Sequence, residues 1–163
     1  MIVVLDANAI IGLAKGGVFE LLPRLFQQSI VTPEVVEEVA SDELLEAGYL
    51  GAEELRQALA EVPPWVRQQT PATSTLDAFS EVRDLEDRSV IALAYEAKAD
   101  WLITDDDRLR RVAYGRGVPV LFVAEVLGMA KKQGLLAEVR PVMDRMRSYG
   151  FGVALDLYRR VAI

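Results

Sequence analysis

Short apolar runs alternate with amphipathic stretches along this chain, and the alternation sets out its elements. Ile2-Val3-Val4-Leu5 reads as a buried strand, closed by the polar Asp6-Ala7-Asn8. Helical spacing follows over residues 9–14 and again over 18–26. Ser29-Ile30-Val31 is a second short strand, after which Thr32-Pro33 supplies an N-cap and a proline at the first helical position, opening a helix to about Ala40. Another helix is expected over 42–60, weakened in its middle by Gly48 and Gly51 and stopped by Val62-Pro63-Pro64. Trp65-Val66 reads as a third strand, and residues 68–75, with Pro71, as a polar connection over one domain.

A helix over 85–99 turns Val90, Ile91, Leu93 and Ala94 to the core. Trp101-Leu102-Ile103 is a fourth strand, closed by Thr104-Asp105-Asp106-Asp107. A helix over 109–114 ends at Gly115 and Gly117, and residues 118–123 read as a fifth strand whose Pro119 argues against a central place. From there the pattern is helical, over about 124–133, 135–148 and 155–160. Strand-helix alternation of this kind predicts an α/β fold, a parallel sheet with helices on both faces. A length of 163 residues suits a single domain, with a core over about 1–123 and a helical C-terminal extension over about 124–163.

Composition narrows the chemistry. With 52% hydrophobic residues the chain can bury a full core, but it has no Cys and no His. That removes thiolate nucleophiles, imidazole bases, zinc ribbons and haem ligation, and leaves carboxylates, hydroxyls, amides, Lys and Arg. Mg²⁺ or Mn²⁺ held by oxygen is the cofactor such side chains best support. The start, MIVVLDANAI, has no basic stretch and carries Asp6 inside its apolar run, and no apolar run approaches the ~18–20 residues that span a bilayer. The expectation is a soluble, unexported, cytoplasmic protein with no membrane partner.

The net charge of −7 is unevenly spread. Residues 1–104 hold 7 Lys/Arg against 18 Asp/Glu, a balance of −11, whereas residues 105–163 hold 11 against 7, a balance of +4. A uniform polyanion binder has no such split. The acidic part could meet nucleic acid only through bound cations, with the basic part on phosphates.

In an open parallel sheet, ligands bind outside the carboxyl ends of the strands. Asp6 lies at one such end and Asp105 and Asp106 at another. Carboxylates converging there raise one another's pKa unless a cation intervenes. Glu38 sits among Val35, Val36 and Val39 and is the acid of its helix best placed to point inward; a solvated acidic face is the plainer reading. Asp84, Glu86 and Asp87 open the next acidic helix, where acids commonly cap. Asp87, four residues before Ile91, is the best ligand of the three, with Glu86 in reserve. Either Asp105 or Asp106 would coordinate, and Asn8 and Thr104 add small polar groups able to hold a carboxylate or a water.

Taken together, LDAN at 5–8, TPEVVEEV at 32–39, DRSVIALA at 87–94 and LITDD at 102–106 resemble the PIN-domain nucleases, in order and on the expected elements. GMAKKQGLL at 128–136 and YGFGVALDLY at 149–158 look like the branch of PIN-like proteins with an extra helical C-terminus. The resemblance implies a three-layer α/β/α sandwich around a parallel sheet of about five strands. It further implies Mg²⁺- or Mn²⁺-dependent cleavage of RNA, as in VapC-type toxins of toxin-antitoxin pairs. It makes Asp6, Glu38, Asp87 and Asp106 the four metal-binding catalytic acids, supported by Asn8 and Thr104. Ala7 departs from the family, which often has Thr or Ser there, and the triple aspartate leaves the fourth ligand open between Asp105 and Asp106. Partners by resemblance are an RNA substrate, a small antitoxin protein and a second copy of the chain.

Phosphate contacts would come from Arg108, Arg110 and Arg111 beside the fourth acid, or from Lys131 and Lys132. A haloacid-dehalogenase-like phosphatase needs a second Asp two residues after the first, where this chain has Asn8, and a receiver domain needs a Lys just after the last strand, where none stands. The remaining alternative is a PIN-like binding or assembly module without turnover.

Overall fold

In the computed structural model, which describes residues 1–161, five short strands are joined by helical crossovers. In chain order, β1 (Ile2–Leu5) leads through α1 (Ala7–Lys15), a 3₁₀ turn at Phe19–Leu21 and α2 (Leu22–Leu25) to β2 (Gln28–Val31). Next come α3 (Pro33–Ala40), α4 (Asp42–Glu46), α5 (Ala52–Ala60) and β3 (Val66–Gln68). Then follow α6 (Thr73–Ala78), α7 (Leu85–Glu96), β4 (Trp101–Ile103), α8 (Asp107–Gly115) and β5 (Val120–Leu121). Helices α9 (Val123–Lys132), α10 (Arg140–Ser148) and α11 (Leu155–Val161) complete it.

All the strand pairs are parallel, in the order β3-β2-β1-β4-β5. β1 is central, with Val4 registered against Ile30 on one side and Leu102 on the other. Val3, Val4, Leu5, Leu102 and Ile103 are fully buried, as a continuous apolar run in a sheet covered on both faces requires. Helices flank the sheet in a three-layer α/β/α arrangement. In α7 every residue from Ser89 to Ala94 is buried, so that helix is enclosed on all sides over its middle turns. Strand order changes direction beside β1, which makes the carboxyl ends of β1 and β4 the switch point of the sheet. Among the described residues no helix is long and apolar enough to cross a membrane.

Several elements differ from their sequence reading, each for a local reason. The helix expected over 42–60 is two helices, because Gly48 and Gly51 adopt φ of 73° and 100° and turn the chain between them. The Ser41 hydroxyl caps the first, and the Glu54 carboxylate accepts from the Gly51 N–H at the start of the second. The polar connection at 68–75 contains the end of β3 and the start of α6, which packs on α7. The fifth strand pairs only over Val120–Leu121: Glu125 accepts from the Phe122 N–H (3.0 Å) and Asp105 from the Val123 N–H (2.8 Å), so the chain turns into α9 there. Its place at the sheet edge agrees with Pro119. Helix α10 begins only at Arg140, with Pro141 in its first turn, and not at 135. The segment 18–26 is a 3₁₀ turn and one turn of α-helix.

Candidate metal centre

Asp6 follows the last residue of β1 and caps α1. Its Oδ1 accepts from the Ala7 N–H at 2.8 Å, while Oδ2 accepts from the Thr104 hydroxyl at 2.6 Å across the switch point. Both residues are buried. The Thr104 Oγ also accepts from the Asp106 N–H at 3.0 Å and lies 3.5 Å from the Asn8 amide nitrogen, whose partner oxygen accepts from the Asp105 N–H at 3.2 Å. Asn8 and Thr104 thus tie the ends of β1 and β4 together and hold Asp6 in one orientation. Asp106 caps α8 through Oδ1, which accepts from the Leu109 N–H at 2.8 Å, so its other oxygen needs no partner in the helix.

The third wall is the start of α7. Asp84 caps it, accepting from the Asp87 N–H at 2.9 Å, and the first turn carries Glu86 and Asp87. One carboxylate oxygen each from Asp6, Glu86 and Asp87 lies within 4.8 Å of the others. Glu38, near the end of α3, lines the same cleft. α3 and α7 are pinned together below it, where the Ser89 hydroxyl donates to the Thr32 hydroxyl at 2.9 Å. The cleft, of about 320 Å³, is bordered by Asp6, Asn8, Glu38, Asp84, Glu86, Asp87 and Asp106.

Crowding shows in the protonation of these groups. Burial, reinforced by the nearby Glu38 and Asp6 carboxylates, pushes Glu86 up to about 10. Burial and the charges of Asp6, Asp84, Asp106 and Glu38 push Asp87 up to about 6. Asp6 is raised chiefly by burial, against the hydrogen bonds that favour its ionised form. Among the described residues, the Oε1 atom of Glu86 is buried and no N–H or hydroxyl donates to it. A buried carboxylate oxygen without a donor, on one of three acids whose oxygens converge, fits a hard divalent cation of the Mg²⁺ or Mn²⁺ kind.

Comparison with known families bears on the same geometry. A family model described as a PIN domain matches residues 2–162. This chain belongs to the PIN-domain family. Among solved structures, a PilT N-terminus domain protein from the hyperthermophilic archaeon Sulfolobus solfataricus P2 is 19% identical, covers 80% of this chain and 93% of its own, and superposes with a TM-score of 0.52. At that identity the likeness shows the shared fold. Comparison with curated proteins finds no match. The PIN domain is a nuclease-type fold, and in this one acids gather at the carboxyl ends of β1 and β4 and at the start of α7.

Within this PIN domain, Asp6, Glu38, Asp87 and Asp106 border one cleft, with Asn8 on its rim and Thr104 buried behind Asp6. The tightest triple is Asp6, Glu86 and Asp87. Glu86, held in reserve by the sequence reading, is therefore the residue that reading undervalues. The signal lies four positions on, at Val90, an apolar core position that places Glu86 on the inward face. Asp84, ranked behind Asp87 and Glu86 by the sequence reading, caps α7 and also borders the cleft. Asp105 and Asp106, left as alternatives for one role, are separated: Asp105 accepts from Val123 and lines a different hollow, beside Phe122 and α11. Burial pushes Asp105 up to about 6.

The basic residues divide likewise. Arg108 borders a hollow shared with Asp84 and Asp87, and Arg111 is exposed. Arg110 is engaged, with Nη2 2.8 Å from Asp107 and its guanidinium 4.8 Å over the Phe122 ring. Lys131 lies 3.4 Å from Glu138, and Lys132 is exposed near the end of α9.

Proposed function

We propose that this PIN domain is a Mg²⁺- or Mn²⁺-dependent endoribonuclease of the cytoplasm and the toxin of a type II toxin-antitoxin pair. The observation that carries this reading is the meeting of Asp6, Glu86 and Asp87 oxygens within 4.8 Å, with Glu38 and Asp106 on the same cleft. These carboxylates would hold the ion. Bound there, it supplies a water of lowered pKa and positive charge for the leaving 3′ oxygen. Asp6, fixed by Thr104 and Ala7, is the rigid side of the site. Glu38 and Asp106, both on the cleft, would orient the attacking water in line with phosphorus and accept its proton. Hydrolysis in this sense breaks the bond from phosphorus to the 3′ oxygen and leaves a 5′ phosphate and a 3′ hydroxyl.

Its partners in this reading are RNA, a small antitoxin and a second copy of the chain. Glu38 also borders a neighbouring hollow lined by Ile11, Val39 and Leu44 and rimmed by Tyr49 and Leu50, an apolar surface suited to a small protein beside the acids.

End-labelled RNA incubated with the protein and Mn²⁺ tests the activity. Wild type is expected to release fragments with 5′ phosphates, EDTA to stop it, and Asp87→Asn to slow it by about a hundredfold or more. Equal cleavage by wild type and Asp87→Asn would assign the activity to a contaminant and leave a binding module.

A further inference from the structure

The acidic cleft is not closed on the α8 side. Asp84 and Asp87, two of its acids, also line a smaller hollow of about 280 Å³ between the start of α7 and α8. Val82, Leu109 and Val112 give that hollow apolar walls, and Arg83 and Arg108 stand at it as cations. Arg83, Arg108 and Arg111 make no ion pair or hydrogen bond among the described residues, unlike Arg110 and Arg116, which are paired to Asp107 and Glu81. Along α8, Arg108, Arg111 and Tyr114 follow at intervals of three, each neighbouring the next on the exposed side of the helix. Tyr114 is 88% exposed, an unusual position for an aromatic ring with no packing role.

Unpaired cations, an apolar-walled hollow and an exposed ring, in line and contiguous with the acids, are the parts of a single-strand binding track. Cations meet phosphates, and a free ring offers a stacking surface to any base. From Arg108 to Tyr114 the helix rises about 9 Å, at ~1.5 Å per residue. A stacked strand at ~3.4 Å per nucleotide covers roughly two to three nucleotides in that distance. We infer that the exposed face of α8, with Arg83, is the track along which single-stranded RNA runs from the metal cleft: Arg83, Arg108 and Arg111 bind backbone phosphates and Tyr114 stacks on a base. This rests on the reading of the cleft as a ribonuclease centre. The track also answers an electrostatic difficulty, since cations beside Asp84 and Asp87 hold phosphates next to acids that would otherwise repel them.

Fluorescence anisotropy of a short end-labelled oligouridylate, titrated with the full chain in EDTA at several salt concentrations, tests the track apart from turnover. Arg108→Ala and Arg111→Ala should each weaken binding and lower the salt slope by about 0.7 per lost phosphate contact. Tyr114→Ala should weaken it roughly 5- to 150-fold, the equivalent of ~1–3 kcal/mol of stacking, with Tyr114→Phe restoring it. Arg110→Ala, on the same helix but engaged with Asp107, should bind as wild type. All the substituted side chains lie at the surface of α8, so folding, checked by circular dichroism, is expected to persist. Oligothymidylate bound with the same residue pattern supports the track as a reader of backbone and ring faces.

The track is overturned if Arg108→Ala, Arg111→Ala and Tyr114→Ala bind as wild type, or if Arg110→Ala costs as much as Arg108→Ala. Binding with the expected pattern but no Mn²⁺-dependent cleavage keeps the track and removes the ribonuclease reading. Metal-dependent cleavage with binding indifferent to these residues does the reverse.

Discussion

Glu86 concentrates the tension of the cleft in one side chain. Its carboxyl is pushed up to about 10 by burial and by the Glu38 and Asp6 carboxylates, so it carries a proton at neutral pH when no cation is bound. In the unfolded chain the same group ionises near its ordinary 4.5. Folding at pH 7 must therefore take up a proton, which costs stability. Glu86→Gln removes that cost and keeps the shape. The metal-free variant is expected to be more stable than wild type at pH 7 by on the order of 1 kcal/mol, a figure reduced because the cleft opens to solvent. Below about pH 4 the difference should vanish, because both states of the wild type are then protonated. Mn²⁺ affinity should fall in the same variant, since an amide oxygen replaces an anionic ligand. Thermal unfolding in EDTA and calorimetric titration with Mn²⁺ measure the two effects, and a variant less stable than wild type in EDTA at pH 7 would contradict the picture of Glu86.

Helix α1 joins the acidic cleft to the C-terminal helices α9 and α10. Asp6 caps its start, and its far side is kept bare by glycine. A Cβ on Gly12 would lie 2.6 Å from the Phe151 ring, and one on Gly16 would lie 2.9 Å from Val142. Phe151 and α10 therefore lie almost directly on the α1 backbone. Alanine favours a helix over glycine by about 1 kcal/mol, so a net loss on substitution would report the clash itself. Gly12→Ala is expected to lower unfolding stability by about 1–3 kcal/mol, with recovery when Phe151→Leu is added. Stability equal to or above wild type would show that Phe151 swings aside freely. This contact is invisible to a one-dimensional reading, since nothing in the local pattern relates Gly12 to residue 151. The central strands and their order of acids are legible for the opposite reason: β1 and β4 are unbroken apolar runs, and Asp6 and Thr104 mark where the runs stop. Glu86 is harder to read because Ser89, its inward neighbour one turn on, is polar in sequence yet buried through its bond to Thr32.

Over the whole molecule, the charge split of −11 and +4 acquires a spatial meaning. Glu38, Asp84, Glu86 and Asp87, from the acidic part, meet Asp106 at one cleft, while Arg108 and Arg111 follow two and five residues after that last acid. The central claim is that these acids are forced together by the fold and that a divalent cation relieves them. Unfolding midpoints measured from pH 5 to pH 8, in EDTA and in Mn²⁺, test it most directly. Asp87 and Asp105 rise from 3.8 to about 6 and Glu86 from 4.5 to about 10. In each case the folded state keeps a proton that the unfolded chain has released. Their contribution is thus fully present below about pH 4 and is lost as pH climbs through about 6 for the aspartates and toward about 10 for Glu86. The metal-free protein is expected to lose stability from pH 5 to pH 8, and Mn²⁺ to raise the midpoint increasingly over the same range as it displaces the protons of Asp87 and Glu86. A metal-free midpoint that rises with pH, or one that Mn²⁺ leaves unmoved at pH 8, would contradict the account.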